Sequence, residues 1–484
     1  MAVNRYDREV RDGEYLQRVR RHPPSGLLPL VAAASARYPM DGWESSPGRR
    51  YTPWALADVA RVSLAYGNEK RGGVTDEDDL LSCLCAYSSL GDPTLTPDSG
   101  AGELFAFFLR LCSEQLPFQR RAFGSLARTM ALFEQTMPAR ELEVIRQGWD
   151  EEVLGASLEN YVRTALLLQA GAVNNLGTFD LAWLDQPNFE EILQTLPRDA
   201  FLSALTKQFV TDPVTFRKDQ DSQPALEQEY RRFGHNPLWA RPVVRSLGES
   251  LLIPVIDLLA LKVSPLGIFY SGVAAYGEAF SRDLGHLVEA YVGRQLRLLP
   301  ANHDVRAAIT YGRDKRQSVD WIVIGPGVTV LIEVKSVRPT EAVRLGTAQA
   351  ASALQRMLGK AHTQIAETAR LVRSRQAEFA VIPDQPMLGL VVTLEPFDTL
   401  YDPFRVVEFP APGVPTAICS IADLEFLVGA DSDPFLLLTR QHEESGQIDV
   451  RRVLTGRPIE RNAVLDAAFG RYSWLRSTSQ GLDA

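Results

Sequence analysis

Between Ser318 and Ser336 the chain reads SVDWIVIGPGVTVLIEVKS. Two apolar runs flank a Gly-Pro-Gly, the pattern of two antiparallel strands joined by a tight turn. Residues two apart on a strand share a face, so Glu333 and Lys335 point the same way. A turn at Pro326-Gly327, or a four-residue loop from Gly325 to Val328, sets Asp320 opposite Glu333 on that face. Two carboxylates and one ammonium then converge on a patch otherwise built from Val, Ile, Leu and Trp. Charges packed there are costly unless something compensates them, and a divalent cation would do so.

The flanking sequence extends this hairpin into a larger α/β unit. Between Ala279 and Leu299 apolar residues recur at helical spacing (Phe280, Leu284, Leu287, Val288, Tyr291, Val292, Leu296). Glu289 stands about 100° from Val288 on that helix, at the edge of the apolar stripe, where it can point toward the Asp-Glu-Lys patch. After Pro300, residues Asp304 to Gly312 read as a first strand. Past the hairpin, a helical stretch from Glu341 to about Gln376 leads to strands at Glu378–Ile382 and Met387–Leu394. Lys360 and Gln364 are one turn apart on the second helix and share a face.

This arrangement resembles the PD-(D/E)xK nuclease superfamily, over roughly a quarter of the chain from Ala275 to Leu394. Val319 stands where the literal motif has Pro. The resemblance implies a restriction-endonuclease-like core, a mixed sheet flanked by helices, in the order helix, three antiparallel strands, helix, strand. It also implies that Asp320 and Glu333, with the Val334 carbonyl, hold Mg²⁺, with Mn²⁺ as a substitute, and that Lys335 orients the attacking water. By the same resemblance Glu289 is the helical acidic residue, able to bind a second ion directly or through water, and Gln364 or Lys360 assists from the second helix. The expected activity is metal-dependent phosphodiester hydrolysis of nucleic acid, foremost as an endodeoxyribonuclease. Similar chains that join a helical region to a nuclease often serve in defence against foreign DNA.

Composition bears on both motif and substrate. Only 7 of the 51 basic residues are Lys, so a chain that prefers Arg places Lys in the Glu-x-Lys position. Lys is a compact point charge that can approach a single water or phosphate oxygen, whereas Arg is a planar fork. The net charge of −9 argues against a polyanionic partner only until its distribution is read. Residues 280–376 carry 15 Lys and Arg against 8 Asp and Glu, while residues 377–484 carry 8 against 16. The basic excess therefore coincides with the candidate core. Arg294, Arg297, Arg306, Arg313, Lys315 and Arg316 cluster around the first strand and its turn, and with Lys360 are the candidates for contact with a phosphate backbone. DNA ranks above RNA, because no aromatic platform for unpaired bases is apparent in the sequence.

The length of 484 residues predicts two or three domains: residues 1–274 as a mainly α-helical recognition or regulatory region, 275–400 as the core, and 401–484 as an α/β extension packed on it. Helical spacing is read at Trp54–Tyr66, Glu103–Cys112, Phe118–Thr136, Arg140–Trp149 and Leu158–Ala170, and Pro415–Val428 reads as a short strand leading into a helix. The helical region is the expected surface for a protein partner, and a homodimer would help cut both strands of a duplex. The most apolar run, Leu251–Tyr270, is interrupted by Pro254, Asp257, Lys262 and Pro265 and reads as buried helix and turn rather than a membrane span. A polar N-terminus and four cysteines without a zinc or disulfide pattern fit a cytoplasmic protein.

Blander readings stay open at this stage. Glu-x-Lys on a strand is by itself an ordinary solvated face or ion pair, and Glu289 alone reads equally well as a surface carboxylate. Lys360 and Gln364 suit any polar helix face. His286 and Glu289, three apart, lack the second such pair that a metal site would need. The basic face could dock on the chain's own acidic flanks. The competing function is a catalytically silent DNA-binding or scaffold protein that keeps the nuclease fold; an RNA-directed nuclease is a third.

Overall fold

In the computed structural model, Pro326-Gly327 forms a two-residue turn: Gly325 pairs with Val328 and Trp321 with Ile332 in antiparallel register. Gly327 has φ of 87°, a left-handed conformation that a side chain would strain. The same register, continued one residue, sets Asp320 opposite Glu333. The structure describes residues 9–37, 51–119, 122–245, 250–397, 400, 407–455 and 462–471.

This hairpin is the centre of a five-stranded mixed sheet. The elements that build it are helix α1 (Glu278–Leu296), β1 (Asp304–Ala307), β2 (Trp321–Gly325), β3 (Val328–Lys335), helix α2 (Ala350–Arg373), β4 (Met387–Thr393) and β5 (Thr416–Ser420). The strand order is β5-β4-β3-β2-β1. Strands β1, β2 and β3 are antiparallel neighbours, and β4 and β5 run parallel to β3. The parallel join requires a crossover, which α2 supplies. One sheet face packs under α2: Ile322, Leu331, Val391 and Ile418 from four strands share a buried cluster with Leu354, Leu358, Ala361 and Ile365. Each such Ile, Leu or Val side chain stabilises the fold by about 1.5–3 kcal/mol through burial. By strand alternation Glu333 and Lys335 lie on the Leu331 face, beneath α2.

Several expected elements differ. The first strand ends at Ala307, and Thr310–Tyr311 pairs instead with Arg316–Gln317 in a small separate hairpin. The long helix divides into Glu341–Arg344 and α2 around Gly346, whose φ is 58°. Residues 378–382 form no strand; Ala377–Phe379 is a 3₁₀ turn that sinks Phe379 against Tyr311. Arg140–Trp149 is not helical: a run without regular structure from Pro138 onward precedes a short helix at Trp149–Leu154, because Pro138 and the left-handed Gly148 (φ 86°) bound a segment whose amides do not form a ladder. The strand read at the start of Pro415–Val428 is β5, and it completes the sheet rather than standing in an extension of its own. The N-terminal residues 1–8 and the tail 472–484 lie outside the described residues.

The chain divides into two units, one comprising residues 1–99, 110–129 and 144–280, the other 100–109, 130–143 and 281–484. The division thus falls within α1, six residues beyond the expected boundary, and none falls at 400/401. In the first unit, helices Pro24–Ala36, Pro53–Tyr66 and Glu77–Ser88 share a core that includes Leu27, Val31, Leu56, Val59, Leu80 and Leu84. A four-stranded sheet of two- and three-residue strands (Thr178–Asp180, Val210–Thr211, Val243–Arg245, Ser250–Leu252) accompanies the helices. Such strands are too short to show alternation in sequence. Two buried polar groups are also present. Asp58 accepts from Tyr15 Oη at 2.8 Å and pairs with Arg61 Nη2 at 2.5 Å. Lys262 Nζ donates to Gln208 Oε1 at 2.9 Å and Ser271 Oγ at 3.0 Å, and burial lowers its pKa to about 7. The apolar run at 251–270 resolves into the last of these short strands and helices Asp257–Lys262 and Pro265–Tyr276. Among the described residues no helix is long and apolar enough to cross a membrane.

Helix α1 approaches the sheet closely where it lacks side chains. A Cβ on Gly293 would lie 2.1 Å from Trp321 Cζ2, and Trp321 is held there because its Nε1 donates to the Glu289 carbonyl at 3.0 Å. A Cβ on Gly285 would meet only Ser336 Oγ at 3.4 Å. Gly293→Ala is therefore expected to destabilise the protein by about 1–3 kcal/mol through overpacking. Gly285→Ala should be neutral or stabilising by up to about 1 kcal/mol from helix propensity. Urea unfolding of the two variants checks the contrast, and equal effects would refute the close approach.

Candidate functional site

Asp320 sits one residue before β2, at the end of the sheet where β3 finishes. Its Oδ2 accepts from the Val334 N–H at 2.7 Å, so the carboxylate clips the end of β3 in place of a backbone partner. In an extended strand the N–H and C=O of one residue face the same edge. The Val334 carbonyl therefore lies on the Asp320 side.

Glu333 is only 1 % exposed. Its Oε1 accepts from Lys335 Nζ at 2.5 Å, while its Oε2 is buried with no hydrogen-bond partner. An unsatisfied buried carboxylate oxygen costs several kcal/mol by desolvation and is rare in native structures. Lys335 Nζ also donates to Gln364 Oε1 at 3.3 Å, which fixes the ammonium between the strand and α2. The hairpin register and the helix crossover together bring Asp320, Glu333, Lys335 and Gln364 to one end of the sheet.

Burial sets the proton affinity of the carboxylates. Glu333 is raised to about 7, first by desolvation and then by the Asp320 charge, with Lys335 opposing. Asp320 is raised to about 6 by desolvation, against the Val334 amide, with Glu289 pushing further upward. Glu289 itself is raised by desolvation, while Arg140 and Lys335 pull it down. Glu289 is thus within electrostatic reach of Asp320 and Lys335. Its side chain is 43 % exposed, and His286 Nδ1 lies 4.0 Å away.

Among the described residues no three His, Cys, Asp or Glu side chains form a ready-made metal cluster. The donors present still fit a hard divalent cation. The unpartnered Glu333 Oε2, the second Asp320 oxygen and the Val334 carbonyl are all hard oxygen donors, and Mg²⁺ typically takes one or two carboxylates and completes its shell with water and substrate phosphate.

The basic residues separate into different roles. Arg294, a candidate for phosphate contact in the sequence, is half-buried, and its Nη1 donates to the Ala131 carbonyl (3.0 Å) and to Thr136 Oγ1 (2.9 Å), so that part of its guanidinium holds the fold. Arg306 pairs with Asp304 at 2.6 Å. Arg297 is exposed and stacks 5.1 Å from the Trp321 ring. Arg313, Lys315 and Arg316 are exposed on the small hairpin that precedes Asp320, and Arg316 lies 3.8 Å from Asp314. Lys360 is exposed one turn before Gln364. Sequence reasoning missed Trp321 as the residue that anchors the Glu289 turn, and Arg140 as a charge beside Glu289. A glycine at the centre of an amphipathic helix was the available signal for the first. The second comes from a segment misread as helix.

The raised carboxylates make the site a stability cost with a definite pH sign. Their folded pKa values exceed the unfolded ones, so the native state holds extra protons between about pH 4 and 7 and the cost is complete only above that window. In EDTA at pH 8, Asp320→Asn is expected to be more stable than the wild type by about 2 kcal/mol, with the difference shrinking as the pH falls and vanishing near pH 4, the ordinary carboxylate range. Millimolar Mg²⁺ or Mn²⁺ should close the gap at pH 8 by stabilising the wild type. Thermal melts across pH provide the check, and a difference that grows toward acid would contradict the assignment.

Comparison of the chain with protein-family models, curated proteins and solved structures finds no match.

Proposed function

We propose that the unit containing the five-stranded sheet is a restriction-endonuclease-like core, and that the protein is a metal-dependent nuclease that hydrolyses phosphodiester bonds of nucleic acid, with duplex DNA as the foremost substrate. The observation that carries this reading is Glu333: a carboxylate 1 % exposed, with one oxygen tied to Lys335 and the other unpartnered, beside a second carboxylate. A scaffold protein gains nothing from that arrangement, whereas a cation-binding hydrolase needs it. Strand order and polarity agree with the resemblance noted in the sequence. The exposed Arg297, Arg313, Lys315 and Arg316 supply positive charge for a phosphate backbone.

A divalent cation held by Asp320, Glu333 and the Val334 carbonyl would supply charge neutralisation at the phosphate and a water of lowered pKa. The chain's own residues do the positioning. Lys335, steered by Glu333 and Gln364, presents an N–H to the attacking water or to a non-bridging phosphate oxygen as negative charge develops there. Water oxygen bonds to phosphorus as the bond to the 3′ oxygen breaks. The products are a 5′-phosphate and a 3′-hydroxyl, the latter taking up a proton. Asp320 keeps the end of β3 clipped, so the Glu333 and Lys335 backbone is held during turnover.

The test is cleavage of supercoiled plasmid, linear duplex, single-stranded DNA and RNA with Mg²⁺, Mn²⁺ or EDTA. Metal-dependent cutting should leave 5′-phosphate ends. Glu333→Ala should abolish it, Lys335→Ala should reduce it by about 100-fold or more, and Gln364→Ala by about tenfold. Cutting retained in Glu333→Ala would sink the catalytic assignment. DNA binding without any cutting by the wild type would instead favour the silent nuclease-fold scaffold.

A further inference from the structure

Residues 134–143 follow the helix that ends at Phe133 and carry no regular structure up to Glu143, yet they belong to the same unit as α1 and the sheet. Both ends of the segment are fastened to α1. At one end Arg294 Nη1 donates to the Ala131 carbonyl and to Thr136 Oγ1, at 3.0 and 2.9 Å. At the other, the Glu143 N–H donates to Asp283 Oδ1 at 3.0 Å, and Glu143 Oε2 pairs with Arg282 Nη2 at 2.8 Å. Thr136 and Asp283 are nearly inaccessible to solvent, so these anchors are part of the packed structure.

The spacing of the anchors fixes what lies between them. Asp283 and Arg294 are eleven residues apart, about 16 Å along the helix axis. The seven residue steps from Thr136 to Glu143 can reach roughly 24 Å when extended. The segment is therefore long enough to run along α1 in the opposite direction, as a strap tethered at both ends. Arg140 stands four steps from Thr136 and three from Glu143, which sets it beside the turn of α1 that carries Glu289. Its side chain is exposed, and its charge is among those felt by Glu289.

We propose that this strap completes the candidate site and that Arg140 is a phosphate-binding residue, gripping the nucleic-acid backbone beside Glu289. The inference rests on the nuclease reading above and adds a substrate contact supplied from some 180 residues before the motif strands. A guanidinium suits the task because its planar fork matches two phosphate oxygens and its charge does not titrate. Without substrate, Glu289 balances that charge. With a cation at the carboxylates and a phosphodiester at the sheet end, Arg140 turns from Glu289 to the phosphate. The neighbouring Glu143 does not compete, since Arg282 already neutralises it.

The test uses the full chain and a fluorescent DNA duplex. Anisotropy with Ca²⁺ in place of Mg²⁺ reads binding over a range of salt, and cleavage with Mg²⁺ reads turnover. Arg140→Ala should weaken binding about five- to tenfold and reduce the salt slope by about one, whereas Arg140→Lys should restore the salt slope and only part of the affinity, since an ammonium keeps the charge but not the fork. The melting temperature of Arg140→Ala should match that of wild type, because the side chain is exposed. If Arg140→Ala binds and cuts like wild type while Glu333→Ala is dead, the strap inference fails and the nuclease reading stands. If the wild type binds but cuts nothing, the nuclease reading fails, and the grip is still judged by the affinity and salt slope of Arg140→Ala. Weaker binding that Lys does not rescue, together with a lowered melting temperature, would make the residue structural and overturn the proposal.

Discussion

A carboxylate buried under a helix governs much of what surrounds it. Glu333 is carried inward by strand alternation, on the face where Leu331 packs beneath α2. An isolated charge there would neutralise itself or force the helix away. The chain answers with Lys335 two residues on, and answers the ammonium in turn with Gln364 on the helix. That sequence of compensations ties β3 to α2 by polar as well as apolar contacts. It leaves one Glu333 oxygen unpartnered, which is the part of the cost that a ligand can recover.

The close packing of α1 follows a related logic. The sheet presents Trp321 on the opposite face, and the helix passes over it only because position 293 has no side chain. The indole then donates to the Glu289 carbonyl and fixes the rotation of the helix about its axis. The orientation of an acidic side chain near Asp320 therefore depends on an indole nitrogen and a missing methyl, neither of which carries charge.

The hairpin register, the α1 helix, the crossover helix and strand β4 were legible because each rests on local periodicity and turn chemistry. The convergence of Asp320, Glu333, Lys335 and Gln364 followed from that register and from a one-turn helix spacing. What could not be read depended on tertiary context. Arg294 looks like any surface arginine until the partners at Ala131 and Thr136 are seen. Residues 140–149 have helical apolar spacing, but Pro138 and the tethers at Asp283 override it. Residues 378–382 have strand-like composition, yet Phe379 is buried against Tyr311 in a 3₁₀ turn. The short strands of the first unit are too brief to leave a period.

The sheet-bearing unit is discontinuous in sequence: it takes residues 100–109 and 130–143 from before its main segment and its outer strand β5 from beyond residue 400. A gene fragment spanning only the motif region would lack β5, baring the paired edge of β4, where Gly389 to Thr393 are buried. Bare apolar edges of that kind recruit other chains. The fragment would also lack residues 130–143, which are fastened to α1, and Phe105 and Leu109, which lie in the buried cluster beneath α2. This unit cannot be shuffled between proteins as a cassette, since its inheritance is bound to that of the helical segments interleaved with it.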